Sequence, residues 1–255
     1  MIAQEFGKGK HTKILLIPGN MMSWRQFEHL IPLLETDHHV TAISTDGYDE
    51  RTTFTTAEAS AESVEAYIRD NLDGEIDLVF GESFGSATAG MLFHRQKVKV
   101  GSLIMSSPQY MNLWILNGLL KAIVPRNQYR LYSRIRYQKR LPWLLKLYTR
   151  ADDEKLIRQF GAVPENITLE TLQDAMDEAL KLYSVIDSFA PDPRAHVAVW
   201  YGEKELNMKK AVQKLKRAWP NAEIHPFEGH GHGEIVAHPD IMAKEIREFV
   251  RGNHQ

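Results

Sequence analysis

Hydrophobic and polar positions change period along this chain, and each change marks an element. Lys13-Ile14-Leu15-Leu16-Ile17 is a short, nearly continuous apolar run that ends at Pro18-Gly19. A run of that length bounded by turn residues predicts a buried strand. Trp24, Phe27, Leu30, Ile31 and Leu34 then recur at helical spacing, with Ser23 as N-cap and Pro32 predicting a kink or an early end. Val40–Ser44 reads as a second strand, followed by a polar loop through Asp46-Gly47. Ala61, Val64, Ile68 and Leu72 mark a helix, Ile76–Phe80 a strand, and Leu103–Met105 the next strand. The alternation resumes near residue 195. His196–Tyr201 predicts a strand, Met208, Val212, Leu215 and Trp219 a helix, Ala222–Phe227 the last strand, and Ile241–Val250 a terminal helix. Strands alternating with helices predict an α/β fold, with a mostly parallel central sheet and helices on both faces.

Residues from 109 to about 190 break this rhythm and read as all-helical, a helical insertion within an α/β domain. Its first half is basic: residues 109–150 hold nine Lys or Arg and no Asp or Glu. Tyr110, Trp114, Tyr129, Tyr132, Tyr137, Trp143 and Tyr148 are interleaved, and the sign of the charge reverses from Asp152 onward. One reading is a solvated face whose aromatics pack on the core. The other is a surface that attracts an anionic substrate or makes peripheral contact with a membrane.

Bulk properties narrow the class. The 255 residues suffice for one large domain, and a hydrophobic content of 43% with 25% charged residues is ordinary for a globular protein. A net charge of -2 gives no steer toward nucleic acid. There is no cysteine, which excludes disulfides, thiolate metal sites and a cysteine nucleophile, and fits a cytoplasmic protein. Met1–Lys13 has no apolar core of a signal peptide. Val100–Leu120 is uncharged over 21 residues, a length that spans a bilayer, but its serines, asparagines and Pro108 argue instead for a strand, a turn at Ser106–Pro108 and an amphipathic helix.

The chemistry centres on Gly81-Glu82-Ser83-Phe84-Gly85. It lies between an apolar strand and a small-residue helix start, which places Ser83 at the apex of a tight turn as a candidate nucleophile. A serine hydroxyl needs a base, a group to orient that base, and donors for an oxyanion. Gly229-His230-Gly231-His232-Gly233, on a glycine-rich loop after a strand, supplies candidate bases in His230 and His232. Glu203 and Glu205, just past the strand ending at Tyr201, are candidate orienting acids. Pro18-Gly19-Asn20-Met21 and the residue after Ser83 offer backbone N–H groups. A metal reading uses His230, His232 and Glu234 with His225 and His238 nearby. Glu82 has two readings: it raises the pKa of a neighbouring histidine, or it points to a neighbouring helix.

With these segments in this order, the chain from about residue 12 to 250 resembles the α/β-hydrolase superfamily. The resemblance implies the α/β-hydrolase fold, a core domain of residues 1–107 and 191–255, and a helical cap of residues 108–190. The nucleophile elbow falls on Ser83. The acid turn, Gly202-Glu203-Lys204-Glu205, puts the acid on Glu205, a glutamate where aspartate is usual. The histidine turn, with Pro239 seven residues on, selects His232. Pro18-Gly19 stands where His-Gly usually begins the oxyanion turn, and the backbone N–H groups of Asn20 and Phe84 would form the oxyanion hole. The implied activity is that of a serine hydrolase acting on a small or medium acyl substrate, foremost a carboxylic ester, with no cofactor and no metal. The alternatives are thioester cleavage or carbon–carbon lysis by the same triad, a peptidase, or a homologue that binds without turnover.

Overall fold

Ile14 and Leu16 face one side of a β-sheet, Leu15 and Ile17 face the other, and all four are fully buried. That is why their run shows no polar alternation: a strand covered on both faces has no solvent side. The computed structural model describes residues 1–49, 51–108, 117–138, 163–164, 167–205 and 208–252. Within them seven strands form one sheet: β1 (Ile2–Phe6), β2 (Lys13–Ile17), β3 (His39–Ser44), β4 (Glu75–Glu82), β5 (Lys99–Ser106), β6 (Val197–Gly202) and β7 (Glu223–Phe227). Their order is β1-β3-β2-β4-β5-β6-β7. β1 pairs antiparallel with β3, and every other pairing is parallel. The order reverses direction at β2–β4, so the C-terminal ends of the central strands open onto one crevice.

Helices cover both faces. On one lie α2 (Ala57–Asn71), α3 (Gly85–Arg95) and α6 (Met208–Ala218), whose Ile68, Leu92 and Leu215 pack with Leu15, Val79 and Met105. On the other lie α1 (Ile31–Leu34) and α7 (Pro239–Gly252), whose Leu34 and Ile246 pack with Leu16, Phe80 and Trp200. Phe80, at 0% exposure, meets Phe27 and Trp200 edge-on at 5.9 Å each. Truncating such a ring to alanine costs about 3–5 kcal/mol. α2 begins where Thr56 Oγ1 accepts the Ala59 N–H at 3.0 Å, an N-cap that satisfies a donor the helix cannot.

The described part of the insertion is mainly helical: α4 (Asn117–Gln138) and α5 (Leu169–Val185). Tyr132 on α4 and Leu172 on α5 pack with Met21 and Tyr48, so these helices rest on the loops above β2 and β3. Glu178 of α5 accepts the Ala57 N–H at 3.2 Å, placing a carboxylate at the positive end of α2. Tyr110, Trp114, Lys139, Arg140, Trp143, Lys146, Tyr148 and Arg150 of the basic, aromatic stretch lie outside the described residues, as does Asp152. No helix among the described residues is long and apolar enough to cross a membrane.

Two local features differ from the sequence reading. The Trp24–Leu34 segment is a 3-10 turn, Trp24–Phe27, followed by the one-turn helix α1. Pro32 sits in the first turn of α1, where its missing N–H costs nothing, and so divides the segment in two. β1 was not anticipated, because a five-residue edge strand with half-exposed positions carries little periodic signal. Its partner, β3, lies more than thirty residues away in the chain.

Candidate active site

Ser83 stands between β4 and α3 with φ +50°, a left-handed conformation that costs a non-glycine residue about 1–3 kcal/mol. Packing enforces it. A Cβ on Gly81 would come within 2.7 Å of Ala89 Cβ, and one on Gly85 would overlap the Pro18 carbonyl. The flanking positions must therefore be glycine if strand, helix and the β2 turn are to meet here. Ser83 N–H donates to Ser106 O at 2.7 Å, and Ser86 Oγ donates to Gly81 O and Ser106 O at 2.9 and 3.0 Å. The turn is thus tied to both its own strand and β5.

His232 meets Ser83 from the loop after β7. Ser83 Oγ lies 3.0 Å from His232 Nε2, and His232 Nδ1 lies 2.8 Å from Glu205 Oε2. Because the carboxylate can only accept, Nδ1 donates to it, which leaves Nε2 to accept the serine proton. Glu205 is 4% exposed, and its other oxygen accepts from Ser107 Oγ at 2.6 Å and from Gly202 N–H at 2.7 Å. Burial raises the pKa of Glu205, but the donors His232, Ser107 and Gly202 outweigh it and hold the carboxyl below its ordinary range. Burial likewise opposes a charged His232, and Glu205, joined by Glu82, outweighs that and lifts the imidazole above its ordinary value. The ring is hemmed in by protein, yet 42% of its side-chain surface still reaches solvent.

The competing candidates have other partners. Glu203 is exposed and accepts the Gly229 N–H at 3.2 Å, which braces the histidine loop. His230 Nδ1 donates to Glu228 O at 2.7 Å, and its ring packs edge-on against His238. Glu234 accepts the Gly231 N–H at 2.6 Å, and His225 lies 3.7 Å from Glu245. No group of three or more His, Asp or Glu converges on a metal position among the described residues.

The Pro18–Met21 turn packs against Ser83: a Cβ built on Gly19 falls 3.4 Å from Ser83 Cβ. Gly19 N–H donates to Gln26 Oε1 at 2.8 Å, so a glutamine braces this turn. Asn20 Oδ1 accepts from Tyr48 Oη at 2.5 Å, which ties its side chain to the turn's support. Tyr48 is buried, which raises its phenol pKa and keeps it a donor. Phe84 caps α3, and its N–H belongs to the first-turn donors that have no carbonyl within a helix.

Three residues escaped the sequence reading: Ser107, Gln26 and Tyr48. Ser107 donates to Glu205 and accepts from Gly233 N–H at 3.1 Å, linking the acid to the histidine loop. Its only signal was a small polar residue directly after an apolar strand. Gln26 and Tyr48 gave none. For Glu82, the reading as a neighbour of the histidine is favoured: a carboxyl oxygen lies against Gly233, at the start of the 3-10 turn Glu234–Ala237, within the influence of His232 and Glu205.

Comparison with known proteins agrees with this architecture. No curated protein sequence matches the chain. Among solved structures, an alpha/beta hydrolase family protein from Desulfitobacterium hafniense is 21% identical with a TM-score of 0.79, covering 98% of this chain and 100% of that one. MenH from S. aureus is 14% identical with a TM-score of 0.75, covering 100% and 98% respectively. A thermophilic esterase from Thermogutta terrifontis is 16% identical with a TM-score of 0.75, covering 100% and 94%. At these identities the likeness is one of fold. The sequence pattern of the alpha/beta hydrolase family itself matches residues 14–245, nearly the whole chain, so this protein belongs to the alpha/beta hydrolase family.

Proposed function

We propose that the protein is a serine hydrolase that cleaves a small or medium carboxylic ester through an acyl-enzyme. The observation that carries this reading is the unbroken path Ser83 Oγ–His232 Nε2, His232 Nδ1–Glu205, at 3.0 and 2.8 Å. Ser83 attacks the acyl carbonyl as His232 takes its proton, which makes a hydroxyl an effective nucleophile at neutral pH. Glu205 fixes the imidazole tautomer and stabilises the imidazolium. The negative charge on the carbonyl oxygen falls to the Asn20 and Phe84 backbone N–H groups. His232 then returns the proton to the leaving alcohol. Water, activated by the same histidine, releases the acid and restores Ser83.

The helical segment over the site acts as a cap, and the acyl group reaches Ser83 beneath it. On α4, Arg126 and Arg130 are exposed beside Leu119 and Ile123, at 57% and 46% exposure. That mixture supports an anionic or lipid-like acyl substrate delivered from a surface.

Fluorophosphonate labelling read by intact mass tests the reading. Wild type gains one adduct, and Ser83→Ala and His232→Ala gain none. Against the best ester found by a chain-length screen, both variants lose about 10⁴–10⁶-fold in kcat. An unlabelled, folded wild type would reject the reading. Hydrolysis in ¹⁸O-water separates ester cleavage from carbon–carbon lysis, because only hydrolysis places solvent oxygen in the acid.

A further inference from the structure

Glu82 ends β4, next to Ser83, and is 1% exposed. Neither of its carboxyl oxygens has a hydrogen-bond partner among the described residues. Its cross-strand neighbour is Ser106, whose hydroxyl lies near enough to favour ionisation but outside hydrogen-bond geometry, and is itself unpartnered. Oε1 rests against the histidine loop: a Cβ built on Gly233 would lie 3.1 Å away, and Gly233 has φ +66°. A glycine beside His232 therefore leaves the room that this carboxyl occupies. Burying a carboxyl without donors is costly, and proteins keep one where its charge is used or keep it neutral.

We propose that Glu82 is a positioning residue for His232: a second carboxyl, at the end of β4, whose ionisation sets the charge facing the imidazole. The inference rests on the assignment of His232 as base. Glu82 makes and breaks no bond in the reaction. With Glu82 neutral, His232 keeps the Glu205 carboxylate. With Glu82 ionised, the imidazolium formed as Ser83 is deprotonated gains a second negative neighbour, and the step is favoured.

Among the described residues, the titratable groups acting on Glu82 are His232, from the loop after β7, which favours its charge, and Glu205, from the loop after β6, which opposes it. β5 offers only the Ser106 hydroxyl, and the turn after β2 meets its backbone through Gly19. Burial, the largest influence, pushes the Glu82 carboxyl up to about 7, and Glu82 and His232 each favour the other's charged form. The two therefore titrate as a pair rather than singly.

The test is the rate of fluorophosphonate inactivation from about pH 5 to 9, which needs no identified substrate. Wild type shows an acid limb shaped by two ionisations. Glu82→Gln shows one, its midpoint lower by about half to one pH unit, because His232 loses a charge that raised it. The plateau rate falls about 3–10-fold. Superimposable profiles overturn the inference and leave the Ser83 assignment standing. Absence of inactivation in wild type removes the Ser83 assignment, and this inference with it. Should Glu82→Gln not fold, ¹³C-carboxylate NMR of glutamate-labelled wild type decides: one carboxyl titrating between about pH 6 and 8 supports the inference. All glutamates titrating below about pH 5.5 reject it.

Discussion

Two glutamates approach His232 from the ends of β4 and β6, the strands on either side of β5, and the fold treats them in opposite ways. Glu205, on the loop after β6, receives hydrogen bonds from His232, Ser107 and Gly202. Glu82, at the end of β4, receives none among the described residues. Both are nearly fully buried. Exposure therefore does not explain why one carboxyl is held below its ordinary pKa range and the other is pushed up to about 7. The supply of donors does: three favour the anion at Glu205, while at Glu82 the nearby Ser106 hydroxyl and His232 offset only part of the desolvation. Two identical side chains in one pocket thereby acquire different charge states, and so can serve different roles.

The hardest way to break this contrast is at Glu205. Glu205→Gln keeps the shape but cannot serve as the anionic acceptor for Nδ1, and kcat against an ester should fall about 10³–10⁴-fold. The ionised form also supports the fold. Its pKa is depressed, so its stabilisation is present above the unfolded glutamate value and is lost as pH falls through the folded one. Glu205→Gln should accordingly flatten the acid side of the stability curve, measured by urea unfolding between pH 3 and 7.

Glu82 predicts the reverse slope. Its carboxyl is raised from 4.5 to about 7, so it does not destabilise the fold below the unfolded value and does so increasingly as pH rises through the folded one. Wild type should lose up to about 3 kcal/mol across that window, a loss that Glu82→Gln avoids. Equal pH slopes for the two proteins in urea unfolding would contradict this.

Ser107→Ala sharpens the comparison by removing one donor from Glu205. It should cost roughly 1.5–3 kcal/mol of stability, since the hydroxyl bonds a buried charge, and lower kcat by about tenfold. The smallest effect belongs to Glu203→Gln. Among the described residues its exposed carboxylate holds only the Gly229 N–H, so stability should change by less than about 0.5–1 kcal/mol and kcat by less than about threefold.

The elbow was legible because its chemistry is local. Gly81 and Gly85 are imposed by contacts at a strand-to-helix turn, and such turns leave the same spacing wherever they occur. The apolar runs within β2, β4, β5 and β6 were legible for a similar reason: a strand covered on both faces is largely apolar. β1 was not, because its partner β3 decides whether it is a strand at all. Nor were Ser107, Gln26 and Tyr48, whose partners Glu205, Gly19 and Asn20 are brought close only by the fold.

The sequence by itself determined the order of elements, the turn that exposes Ser83, and the segments that hold His232 and Glu205. These follow from periodicity, turn chemistry and chain order, all of which are properties of neighbours along the chain. Only the tertiary structure decided between Glu205 and Glu203 as the partner of His232, and brought the Glu82 carboxyl against the loop that carries that histidine. Those outcomes depend on which buried carboxyl meets a donor and which does not, and donors here come from strands and loops remote in sequence. A carboxylate's charge in a protein interior is set by that three-dimensional supply of hydrogen bonds.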